Sequence, residues 1–333
     1  MPFTGPKILI IGSNSFSGAS FAAHSLRKGA EVIGVSRSPE ANPVFLPYRW
    51  QGETGEFSFH QYDLNHHLDE IMTLVDHIQP EFIVNFAAQS MVAQSWNHPE
   101  HWMQTNVVST VKFHQQLRQR DCLQRYVHVS TPEVYGNTSG RVLEDHPYAP
   151  STPYAVSRAA CDMSLRTFHE AYGFPVVFTR AANVYGPGQQ LYRIIPRTIL
   201  FILLGRRLSL HGGGISERSF IHIRDVAEAT WRIMKDGRNG DSYHISTDES
   251  LSIRRLVEKI CVKMQVSFED TVDMVGDRLG KDAAYHLDSS KIRTELSWSD
   301  KVSLDQGLDQ CIAWVTENLS TLRELSFDYV HRP

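Results

Sequence analysis

Residues 7–18 read KILIIGSNSFSG, and the fold turns on how this stretch is understood. Lys7 to Ile11 is a short apolar run that stops at Gly12, the pattern of a buried strand entering a glycine turn. Helical spacing follows over 18–28. A strand–turn–helix of this kind directs backbone N–H groups and a helix N-terminus toward a pyrophosphate. Gly12, Ser15, Phe16 and Gly18 are therefore candidate dinucleotide contacts, with Ser15 standing where the usual spacing has another glycine. A lone glycine pattern is weak evidence. Its place directly after the first strand is what gives it weight.

Outward from this turn, further apolar runs occur at 31–35 (EVIGV), 82–86 (FIVNF), 125–129 (RYVHV) and 175–179 (PVVFT). Helix-like stretches lie between them, around 67–78, 100–120 and 154–172. The alternation predicts an α/β protein with a Rossmann-type, doubly wound parallel sheet. After about residue 180 the texture changes. Gly and Pro punctuate 186–188 and 212–214, with helical patterns at 194–204, 224–235 and 252–264. The expected organisation is a dinucleotide-binding domain at 1–180 and a smaller lobe made mainly of 181–333. Some segments of the lobe return to the sheet domain, and the two parts share a cleft.

Composition excludes several classes. A net charge of -4 provides no electrostatic reason for nucleic acid or anionic lipid as a partner. The run Thr198 to Leu204 is too short to span a bilayer, and no signal-peptide pattern opens the chain. Four cysteines at 122, 161, 261 and 311 form no CxxC pair, which points to reduced thiols and a cytoplasmic protein. The 16 histidines show no HxxxH or HExxH spacing and no Cys/His cluster, so no metal is expected.

At the nucleotide end, an acidic residue after the second strand would bind an adenosine ribose hydroxyl. The chain instead has Ser36-Arg37-Ser38, one cation and two hydroxyls suited to a 2′-phosphate, which favours NADP over NAD. Asp63-Leu64 reads as an adenine contact, and Ala87-Ala88-Gln89 as the nicotinamide side.

The remaining motifs are Ser130-Thr131-Pro132-Glu133-Val134-Tyr135-Gly136, Tyr154-Ala155-Val156-Ser157-Arg158 and Asn183-Val184-Tyr185-Gly186-Pro187. With NFAAQS at 85–90, Thr105-Asn106, RSFIHIRDVA at 218–227 and DRLGKDAAYHLDSSKIRTELSW at 277–298, they resemble the extended short-chain dehydrogenases of the nucleotide-sugar 4,6-dehydratase type. That resemblance implies a nucleotide-diphosphate sugar substrate and a nicotinamide cofactor reduced and reoxidised within one cycle. Tyr154 would take the C4 hydroxyl proton, Thr131 would bond the C4 oxygen, and Glu133 would remove the C5 proton. Asn106 would lie on the cofactor side, with Tyr154 and Arg158. Gln89, Asn183, Arg193, Arg218, Arg278 and Tyr285 would meet the substrate. The resemblance also implies a homodimer built on the helices around position 154, for which Ala159, Ala160, Met163 and Phe168 are available.

Two departures stand out. Pro132 occupies a place where dTDP-glucose dehydratases carry an aspartate, so no acid stands between Thr131 and Glu133; GDP-mannose dehydratases also have a non-acidic residue there. Arg158 replaces the lysine expected four residues after the tyrosine. It keeps the positive charge that favours phenolate but not the compact ammonium. A 4-epimerase or decarboxylase of the same fold, and a catalytically silent binder of nucleotide sugar or NADP, are the alternatives. Glu133 favours dehydration over simple epimerisation, and the joint retention of Thr131, Glu133 and Tyr154 argues against a silent protein.

Overall fold

Seven parallel strands make the central sheet of the computed structural model, which describes residues 5–50, 55–138, 140–276 and 286–333. In chain order they are β1 (Lys7–Ile11), β2 (Glu31–Ser36), β3 (Glu56–Gln61), β4 (Phe82–Asn85), β5 (Arg125–Val129), β6 (Val176–Ala181) and β7 (Ser242–Ile245). Their spatial order is β3-β2-β1-β4-β5-β6-β7. The chain starts at the centre, winds out to one edge, then returns and winds out to the other. A crevice therefore opens between β1 and β4, where the winding reverses.

The pleat of β1 shows how both faces are filled. Ile8 and Ile10 point into one core with Phe21, Ala22, Val226 and Ile233, while Leu9 and Ile11 point into the other with Ile71, Phe113 and Leu165. Helices α1 (Phe16–Arg27) and α7 (Ile223–Asp236) cover the first face and pack against each other. Helices α2 (Leu68–Ile78), α4 (Thr110–Leu117) and α5 (Pro153–Tyr172) cover the second. Because both faces are covered, the inner strands are mostly apolar, with polar residues such as Asn85, His128 and Arg180 toward their C-terminal ends.

The helix expected over 100–120 is interrupted. α3 (Pro99–Met103) leads into a π-helical turn at Gln104–Ser109 before α4 begins, and that turn carries Asn106. π turns tend to mark functional places. Beyond residue 180, α6 (Ile194–Leu203), α8 (Ile253–Lys263) and the helix Leu304–Glu317 enclose a separate core of Ile195, Ile199, Leu256, Ile260, Leu308 and Val315. β7 and α7 come from the same part of the chain but belong to the sheet.

Candidate active site

A cavity of about 1000 Å³ lies between the C-terminal strand ends and this helical lobe. It brings together Ser15, Phe16, Ala88, Thr131, Glu133, Tyr154, Arg158, Asn183, Arg193 and Arg218, residues spread over two hundred positions of sequence.

The glycine turn is built tightly. Gly12 has φ +87°, and a Cβ there would stand 2.7 Å from the Ala87 nitrogen; one on Gly18 would stand 2.2 Å from the Gly12 oxygen. Ser15 needs no such freedom. Its φ is -73°, it is the N-cap of α1, and its hydroxyl accepts from the Gly18 nitrogen and donates to the Gly12 oxygen. A side-chain cap has taken the place of the missing glycine. The next N–H groups, at Phe16 and Ser17, have no acceptor within the helix and belong to the cavity wall, a cradle that fits a pyrophosphate.

Tyr154 enters α5 on its first turn, after the Thr152 N-cap and Pro153. Its hydroxyl hydrogen-bonds Thr131, the residue that caps the short turn Pro132–Tyr135 after β5. Tyr154 is 8% exposed. Burial, and then the charge of Glu133, push its hydroxyl up to about 12, against the pull of Arg158, Thr131 and Arg193. Arg158, one turn along α5, is also buried. Its Nη2 donates to the Val129 oxygen and stands 3.2 Å from His128 Nε2, so part of its fork is used on β5. Its Nε has no partner among the described residues.

Behind these residues lies a polar cluster that sequence reasoning missed. Asp162, fully buried on α5, accepts from Ser130 Oγ (2.7 Å), Tyr148 Oη (3.0 Å) and Arg180 Nη2 (2.9 Å), with His128 Nε2 at 3.3 Å. Arg180 also donates to Tyr135 and Tyr148, and the Tyr135 hydroxyl meets His244 Nε2 at 2.7 Å. Burial alone would raise the Asp162 carboxyl, but the His128 hydrogen bond and the Arg180 charge hold it well below the usual range. The only sequence signal was the four-residue step from Arg158 to Asp162 on one helix face.

Several expected contacts are placed elsewhere. Leu64 is buried in the core beside α2, not presented to an adenine, and Asp63 Oδ1 accepts from the Asn65 nitrogen. Ser36 Oγ accepts from the Asn14 nitrogen, and the Ser38 oxygen from Asn14 Nδ2, bolting the β2 end to the glycine turn. The Ala87 nitrogen donates to Asn85 Oδ1. Asn106 clamps the Gln89 backbone on both sides and donates to Ser157 Oγ, so it positions α5. Gln89 Nε2 does not point to a substrate but donates to the Arg332 oxygen. Arg37 Nη1 donates to the Arg332 and Pro333 oxygens, so its cation is not turned to a 2′-phosphate. Arg193 and Arg218, by contrast, do stand in the cavity wall, Arg193 over the Tyr192 ring and Arg218 with its Nη1 donating to the Glu217 oxygen. Arg278 and Tyr285 lie outside the described residues. The expected absence of a Cys/His cluster is also corrected: His98, His101 and His331 stack, with Glu100 beside them. The third ring arrives from 230 residues away, which no spacing rule detects.

The family model for GDP-mannose 4,6 dehydratase matches residues 9–311. The chain belongs to this family. It is 31% identical over 329 residues to a dTDP-glucose 4,6-dehydratase of Xanthomonas campestris pv. campestris, covering 93% of each chain. It is 35% identical over 255 residues to that of Mycolicibacterium smegmatis, covering 74% of this chain and 75% of the other. Among solved structures, the dTDP-glucose 4,6-dehydratase DesIV of Streptomyces venezuelae, with NAD bound, superimposes with a TM-score of 0.86 at 30% identity. That match covers 94% of this chain and 98% of DesIV. The expectation of an extended short-chain dehydrogenase of the nucleotide-sugar 4,6-dehydratase type is borne out. A UDP-glucose 4-epimerase of Thermotoga maritima, at 23% identity and TM-score 0.85, shares the fold. No helix among the described residues is long and apolar enough to cross a membrane.

Proposed function

We propose that this dehydratase converts a nucleotide-diphosphate hexose to its 4-keto-6-deoxy form, with Tyr154, Thr131, Glu133 and Arg158 as its working residues. The observation that carries the assignment is the convergence of the first three on one wall, with the Tyr154 hydroxyl bonded to Thr131 and within reach of the Glu133 charge. A nicotinamide dinucleotide held by the glycine turn would supply the acceptor for the C4 hydride and return it at C6. Arg158, in the cavity wall, places its positive charge beside Tyr154.

Tyr154, as phenolate, takes the C4 hydroxyl proton while Thr131 holds the C4 oxygen. The ketone at C4 acidifies C5–H, and Glu133 removes that proton. Pro132 has no proton to donate, so Glu133 passes the same proton to the departing C6 hydroxyl, which leaves as water. The proton held by Tyr154 balances the one that re-enters at C5. Arg193 and Arg218 suit the diphosphate of the substrate.

Incubation with a panel of nucleotide hexoses should produce one species lighter by one water. Glu133→Gln should still oxidise C4 and accumulate reduced cofactor, with no exchange of C5–H into deuterated solvent. Normal dehydration by that variant would remove Glu133 from the assignment.

We further infer a homodimer and a cytoplasmic location. Val156 and Met163 are exposed along one face of α5, and Val108 is exposed at the adjoining π turn, an apolar stripe suited to a second copy; Ala159 faces inward instead. All four cysteines are free, as a reducing compartment would keep them.

A further inference from the structure

The C-terminal segment crosses the end of the sheet where the cofactor cleft opens. The Tyr329 ring stands edge-on to Tyr192 at 5.5 Å. His331 stacks on Trp102 at 4.9 Å and on His101 at 5.1 Å, with its Nε2 2.8 Å from His101 Nδ1. These rings hold the two following residues so that the Arg332 oxygen accepts from Gln89 Nε2 (2.7 Å) and Arg37 Nη1 (3.1 Å). The Pro333 oxygen accepts from Arg37 Nη1 at 2.6 Å. Arg37 directly follows β2 and Gln89 lies just beyond β4, the two strands that flank β1. The segment thus spans the crevice over the glycine turn.

In this fold the residue after the second strand serves the adenosine ribose, and a carboxylate there accepts from the 2′-hydroxyl. This chain has no carboxylate at 36–38. It has two main-chain oxygens brought to that place by the tail: that of Arg332 accepts from both Gln89 Nε2 and Arg37 Nη1, while that of Pro333 accepts from Arg37 alone and keeps a lone pair for a further donor. A carbonyl oxygen can accept from a ribose hydroxyl as a carboxylate does. A phosphate monoester carries about -1.5 to -2 charge at neutral pH and would meet two electron-rich oxygens, at Arg332 and Pro333. Arg37, the cation at 36–38, already donates to the tail.

We propose that residues 329–333 form the outer wall of the adenosine half of the dinucleotide site and make it select NAD against NADP. This reverses the preference that Ser36-Arg37-Ser38 implied in the sequence, and it rests on the reading of the cleft as a dinucleotide site. Arg37 becomes a positioning residue for the tail.

The test uses the full chain with Tyr329→Ala and His331→Ala together, which removes the ring anchors and leaves the backbone intact. Binding of NAD and NADP is measured by titration calorimetry, without any substrate turnover. The parent should bind NAD at least tenfold more tightly than NADP. The double variant should narrow that ratio tenfold or more by gaining NADP affinity, and adding Arg37→Ala should cancel the gain. Hydrogen exchange on the parent provides a second readout that needs no variant: NAD should protect residues 326–333 and NADP should not. An unchanged ratio would overturn the proposal. So would an equal gain for both dinucleotides, which would make the tail a plug, or a parent that binds NADP as tightly as NAD. Failure of every form to bind either dinucleotide would overturn the dinucleotide site itself. Dehydration of a nucleotide hexose with an unchanged NAD:NADP ratio would leave the proposed function standing and remove only the role of the tail.

Discussion

The guanidinium of Arg158 lies 3.2 Å from Nε2 of His128 and donates to the backbone of Val129, which pins the cation beside Tyr154 to β5. A lysine would offer a point charge on a flexible stem, whereas arginine can share a planar fork between the strand and the cleft. Substitution at this position therefore tests charge and geometry separately.

Burial holds the Tyr154 hydroxyl up to about 12, and the charge of Arg158 pulls most strongly against it. The reactive form is the phenolate, so anything that raises this value moves the alkaline-favoured rise in rate to higher pH. Arg158→Met should do so, by about tenfold in rate for each unit, since one unit is about 1.4 kcal/mol. Arg158→Lys should keep much of the rate, because the charge remains. Single-turnover cofactor reduction against pH is the measurement, and an identical profile in Arg158→Met would show that the arginine does not tune the tyrosine. Tyr154→Phe should abolish C4 oxidation in every background.

Asp162 is the carboxylate that balances Arg180 in the interior, with both side chains wholly buried. Removing one partner of such a pair leaves the other charge uncompensated and costs about 3–5 kcal/mol. Asp162→Asn should lower the urea midpoint accordingly. A midpoint equal to the parent's would mean that the cluster contributes little to stability.

The glycine turn separates two kinds of constraint. Ser15 acts as a cap, so Ser15→Ala should cost about 1 kcal/mol and Ser15→Gly only a few tenths. Gly18→Ala would push a Cβ to within 2.2 Å of the Gly12 oxygen, and the turn must shift to admit it. Dinucleotide binding should fall at least tenfold in Gly18→Ala while Ser15→Gly retains it. Equal binding by both would remove the turn from the cofactor site.

Buried histidines set the acid limit. Burial, assisted by Arg180, lowers His244 to about 3, and burial with Arg224 lowers His222 to about 4. The unfolded chain takes up these protons near pH 6.5, while the folded chain refuses them until pH 3–4. Their contribution is intact above about pH 6.5 and is lost as pH falls, at about 1.4 kcal/mol per unit for each histidine. Thermal midpoints from pH 7.5 to 4 should therefore decline. His244→Gln should decline less steeply, and parallel curves would show that this ring takes no part.

Local sequence determined the strands β1, β2, β4, β5 and β6, because a strand covered on both faces carries a run of apolar residues. It did not reveal β3, whose EFSFHQ alternates at the sheet edge, or the four-residue β7. Tyr154 and Arg158 were legible together because one helical turn separates them, and Thr131 and Glu133 because they directly follow a strand. Fixed local geometry makes spacing informative in both cases. The Asp162–Arg180 pair joins a helix to the next strand, and Arg37 meets Arg332 and Pro333 across nearly three hundred residues. Such contacts obey no periodicity, since the packing of helices on the sheet and the path of the tail bring them together. Short-range pattern therefore carried the motifs on which the resemblance, and with it the expected chemistry, rests, while the setting of the Arg158 cation and the acceptor at the adenosine end were decided only when the chain folded back on itself.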